Sequence, residues 1–79
     1  MRTITTSSQV GAILSAQRRQ LKLSQADVAA RIGLSQNRLS VLESNPATLT
    51  TKQLLALLNV LGLEMTLAPR ADRSPKSEW

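Results

Sequence analysis

Ser35, Gln36, Asn37, Arg38 and Ser40 lie close together near the middle of the chain, and their types carry one kind of chemistry. A carboxamide offers a donor and an acceptor side by side, which matches N6 and N7 of adenine. A guanidinium matches O6 and N7 of guanine. Gln36 is the first choice for an adenine contact and Asn37 can do the same, whereas Arg38 suits a guanine or, equally well, a phosphate. A polar helix end bathed in solvent would have the same residue types, so the neighbouring elements must decide between these readings.

Covalent and acid–base chemistry has little to work with. The 79 residues include no cysteine and no histidine, leaving five carboxylates; catalysis, thiolate metal sites and cofactor chemistry are not expected. Trp79 is the only aromatic residue, which excludes a single-strand binder that stacks bases on an aromatic platform. Ten Lys and Arg against five Asp and Glu give a net charge of +5, which favours a polyanionic partner. The excess sits in the first half, where Arg2, Arg18, Arg19, Lys22, Arg31 and Arg38 face only Asp27. No apolar run approaches the ~20 residues of a membrane span and no signal peptide is visible, so the expected location is cytoplasmic, on the nucleoid.

The elements that would position these groups are mostly helical. Ser7 or Ser8 can cap a first helix, in which Val10, Ile13, Leu14, Gln17 and Leu21 follow at helical spacing up to Lys22-Leu23. Ser24, with Asp27 three residues on, opens a second helix whose buried stripe is Val28, Ala29 and Ile32. Gly33 suits a left-handed residue beyond its end. Ser35 caps a third helix with apolar Leu39 and Leu42, Val41 beside them, and Asn45-Pro46 as its stop. Thr50 or Thr51 caps a fourth, carrying Leu54, Leu55, Leu57, Leu58 and Leu61 and ending at Gly62. Leu63, Met65 and Leu67 then alternate with Glu64, Thr66 and Ala68, which is strand periodicity. A lone strand has no mate in this chain, so a second copy is the simplest source of one.

The block from Gln25 to Ser44, QADVAARIGLSQNRLSVLES, is a helix, a short glycine turn and a helix. Ala29 is small where two helices must approach, and Val28, Ile32, Leu34, Leu39 and Leu42 point inward. Over about residues 8–61 the chain resembles the Cro and λ-repressor-like (XRE) helix-turn-helix family. The resemblance implies an all-α fold of four helices, with room for a fifth, that binds DNA with the third helix in the major groove. Ser35, Gln36, Asn37, Arg38 and Ser40 then become the base readers. Gln25 is expected to clamp a phosphate beside the groove, with Lys22 and Arg31 adding charge and Arg2 as a further contributor. The same resemblance pairs Arg18 with Glu43 as a structural salt bridge between the first and third helices.

The second half, SNPATLTTKQLLALLNVLGLEMTL and a polar tail ending in SEW, resembles the HipB-type antitoxins. That implies a homodimer on a palindromic operator, strands pairing through Leu63, Met65 and Leu67, autorepression, and a HipA-like serine/threonine kinase toxin as partner, docked by Trp79. A tryptophan on a polar tail is useful when a partner buries it; the plainer reading is an accident of termination. The expected organisation is an arm at 1–7, a helix-turn-helix domain at 8–62, a dimerisation strand at 63–68 and a disordered tail at 69–79. A stand-alone phage-type repressor without a toxin is the alternative, and a non-DNA scaffold or membrane-surface peptide a more distant one.

Overall fold

The computed structural model describes residues 3–70. Four helices, α1 (Ser7–Gln20), α2 (Gln25–Arg31), α3 (Gln36–Ser44) and α4 (Thr51–Val60), follow in order, with a 3-10 turn at Pro46–Thr48 between the last two. Leu14, Val28, Ala29, Leu39, Leu57 and Leu61 form one buried cluster drawn from all four helices and the residue closing α4, and Leu42 is likewise sealed from solvent. With no Phe or Tyr in the chain, leucine supplies most of that volume, each side chain contributing about 1.5–3 kcal/mol on burial.

Local chemistry sets the helix starts. Ser24 and Asp27 close a reciprocal capping box on α2, as do Thr50 and Gln53 on α4, which resolves the choice between Thr50 and Thr51. The first helix departs from expectation: its cap is Thr6, not Ser7 or Ser8. Only Thr6 has a carboxamide three residues on, and Gln9 Oε1 accepts the Thr6 N–H at 3.0 Å while the Thr6 hydroxyl accepts the Gln9 N–H. Ser35 caps α3 by accepting the Arg38 N–H at 3.1 Å.

Three helices end in the same way. The N–H two residues past the last helical cap reaches back to the carbonyl five residues earlier: Leu23 to Arg18, Leu34 to Ala29 and Leu63 to Leu58. This closure needs a left-handed residue in its middle. Gly33 (φ 73°) and Gly62 (φ 69°) provide it for α2 and α4, but at the end of α1 the residue is Lys22, with φ 59°.

Proline at the first position of the 3-10 turn suits a site with no N–H to donate. Beneath it, α1 passes very close to the end of α3 at Gly11, which is buried. Residues 63–70 form no helix, and no strand lies among the described residues, since a ladder needs a mate that a single chain does not contain. Leu63 packs against the core, whereas Met65 and Leu67 are 47% and 89% exposed. Arg2 and Trp79 lie outside the described residues.

Candidate nucleic-acid interface

The third helix is held from behind by apolar contact and a buried ion pair. Leu39 and Leu42 are fully buried. Glu43, next on that side, accepts from Arg18 Nε at 2.8 Å and Nη2 at 3.2 Å, a two-pronged pair that sets angle as well as distance. Arg18 Nη1 donates to the Leu23 carbonyl at 3.0 Å. Glu43 also accepts from Ser15 Oγ and Gln25 Nε2. One carboxylate therefore ties the far end of α3 to α1 and to the start of α2.

Burial pushes the Glu43 carboxyl up, but hydrogen bonds from Arg18, Gln25 and Ser15 and the Arg18 charge outweigh it and hold it below its ordinary value of 4.5. A carboxyl depressed by folding stabilises the native state above that value, and the contribution is lost as pH falls through the native one. Urea stability should therefore decline below about pH 4.5, and Glu43→Gln should flatten that decline. The exposed Asp27, lowered by its hydrogen bonds from Ser24 and by the Arg31 charge, would account for any slope that remains.

The outward face of α3 follows from turning about 100° per residue away from Leu39 and Leu42. Asn37, Val41 and Ser44 lie along its middle, with Gln36 and Arg38 on opposite flanks. Gln36, Asn37 and Arg38 are exposed and Ser40 is half-buried. Among the described residues no side-chain hydrogen bond engages the two carboxamides or the Arg38 guanidinium, so all three are available to a ligand. Ser35 is exposed too, but its hydroxyl serves the cap. Val41, beside the two core leucines in the sequence, is 47% exposed, as the helical rotation from Leu39 and Leu42 requires.

The expected phosphate contacts differ in setting. Gln25 is half-buried, and one carboxamide N–H is committed to Glu43 at 3.0 Å. The second N–H and the main-chain N–H of this first helical residue remain. Arg31, exposed at the end of α2, lies near enough to Asp27 to influence its carboxyl. Lys22 is exposed in its left-handed turn, a conformation that costs a lysine roughly 1 kcal/mol relative to glycine. Lys22→Gly should thus raise urea stability by about 1 kcal/mol. If Lys22 contacts a phosphate, the same change should weaken binding to all duplexes alike and lower the salt slope by about 1. An unchanged slope removes Lys22 from the interface.

Among the described residues no helix is long and apolar enough to cross a membrane. No curated protein matches the chain. Solved structures do: a HipB variant in complex with an O2 20mer is 30% identical, covering 87% of this chain and 96% of that one at a TM-score of 0.80. HipB in a HipA–HipB–O2–O3 complex is 29% identical, with 87% and 97% covered and a TM-score of 0.80. HipB in an O1–O2 complex is 29% identical, with 87% and 100% covered and a TM-score of 0.79. A helix-turn-helix family model matches residues 14–67, the span containing the Arg18–Glu43 pair and all of α3, and the chain belongs to that family, in its XRE-type branch.

Proposed function

We propose that the chain is the antitoxin of a type II toxin–antitoxin module. As a homodimer it binds a palindromic operator, represses its own operon, and binds and neutralises a HipA-like serine/threonine kinase toxin. The observation that carries this reading is the likeness to HipB, which extends over 87% of the chain and includes HipB as found in a HipA–HipB–O2–O3 complex. The exposed, unengaged carboxamides of Gln36 and Asn37 support the DNA half of the reading. The exposed apolar residues Met65 and Leu67, beyond the last helix, support pairing with a second copy.

In this mechanism the body acts by binding alone. Two α3 helices related by a two-fold axis enter successive major grooves about 34–36 Å apart. Ser35, Gln36, Asn37, Arg38 and Ser40 face the bases, while Gln25, Lys22 and Arg31 hold the flanking phosphates and set the register. Repression follows from excluding polymerase. Leu63, Met65 and Leu67 pair the protomers, and Trp79 is the toxin anchor.

Gln36→Ala should cost about 2 kcal/mol of specific operator affinity and leave non-specific binding intact; equal loss in both would show that Gln36 is no reader. The partner half is tested by capture from host lysate, comparing the full chain with one lacking Trp79. A stoichiometric kinase-like partner that weakens without Trp79 is the expected result. Equal capture by both forms moves the interface to the body. Operator binding with no captured kinase identifies a stand-alone repressor.

A further inference from the structure

Val41 is the one large hydrophobic residue exposed on α3. The core does not account for it, because Leu39 and Leu42 already fill the buried side. Helix propensity does not either, since a β-branched residue is among the poorer choices for an exposed helical position. Its neighbours along the outward face are polar. Asn37 lies one turn before it, and Ser44, nearly one turn after it, turns its hydroxyl onto the Ser40 and Val41 carbonyls at 3.0 and 3.2 Å. Val41 is therefore an apolar spot on an otherwise hydrogen-bonding surface.

A major groove presents one apolar group on its base edges, the C5-methyl of thymine. We infer that Val41 reads a thymine methyl, as a specificity determinant additional to the polar residues. This rests on α3 being the groove helix. Four residues of helix advance about 6 Å, and base pairs are spaced about 3.4 Å apart along the duplex. The thymine lies within two base pairs of the base that Asn37 meets, once in each half-site.

The test is selection from a random duplex library by the full-length wild type and by its Val41→Ser and Val41→Thr variants. The wild type should enrich thymine at one symmetric position per half-site. Val41→Ser should lose that preference alone, and Val41→Thr, which keeps a methyl, should retain it. In the selected duplex, deoxyuridine in place of that thymine should weaken the wild type about fourfold, the value of one buried methyl, and leave Val41→Ser unaffected. The deoxyuridine comparison on wild-type protein needs no variant to fold. A preference unchanged in Val41→Ser, or a wild type indifferent to deoxyuridine, overturns the inference and leaves the groove-helix reading intact. A wild type that enriches no sequence overturns both.

Discussion

Arg18→Ala is expected to destabilise the folded chain by about 3–5 kcal/mol, the cost of breaking a buried ion pair from one side. The side chains of Arg18 and Glu43 are only 11% and 9% exposed, so water cannot replace the lost partner as it would at a surface pair. Truncation leaves the Glu43 carboxylate with two neutral donors, Ser15 and Gln25, and no cation. It also strips the Leu23 carbonyl of its guanidinium donor. A domain of this length has roughly 4–12 kcal/mol of stability in all, so the variant should be partly unfolded in buffer and show a much lower urea midpoint. Replacing both partners with Met and Leu should recover most of the loss, because the dominant cost is the stranded charge rather than the missing attraction. A loss below about 1 kcal/mol, the range of exposed pairs, would mean that solvent reaches the pair. The pair also matters for recognition. Glu43 is its anchor on α3, so loosening it should broaden the sequences the protein accepts before it abolishes binding.

What could be read in the sequence was local chemistry. The boxes formed by Ser24 with Asp27 and Thr50 with Gln53 lie three residues apart, and Gly33 and Gly62 mark the left-handed closures that follow α2 and α4. Thr6 escaped notice because two serines follow it, though only Thr6 has a partner at the required spacing. Lys22 escaped because nothing about a lysine announces a positive φ; the closing bond from Leu23 to Arg18 imposes it. Distance along the chain set the other limit. Arg18 and Glu43 are 25 residues apart, and family resemblance, not spacing, paired them. The recruitment of Ser15 and Gln25 to the same carboxylate needed the folded arrangement. The outward placement of Val41 is local as well, fixed by the helical turn from Leu39 and Leu42. The alternation from Leu63 to Leu67 is legible as a strand, but a strand becomes one only with a mate.

Gly11 gives the sharpest case of a long-range requirement, and Gly11→Val should cost about 3 kcal/mol, the upper end for overpacking a close contact. Two effects oppose one another here. Glycine inside a helix is unfavourable by roughly 0.5–1 kcal/mol relative to alanine, so propensity alone would make a substitution in α1 stabilising. A Cβ at Gly11, however, would lie 2.7 Å from the Glu43 carbonyl oxygen and 2.8 Å from Pro46 Cγ. One of these atoms is main chain and the other belongs to a ring closed onto the main chain, so neither can rotate aside. The steric cost wins, and even Gly11→Ala should be destabilising. Valine adds two methyls in the same space and must push the end of α3 away from α1. That displacement carries Glu43 with it and stretches the pair to Arg18, so specific operator affinity should fall together with stability. Urea titration of the glycine, alanine and valine forms beside operator binding at fixed salt checks both effects. A stabilising Gly11→Ala would show that the Glu43 carbonyl and the Pro46 ring can shift from an added Cβ at little cost. Retained operator affinity in a destabilised Gly11→Val would separate the placement of α3 from its packing against α1.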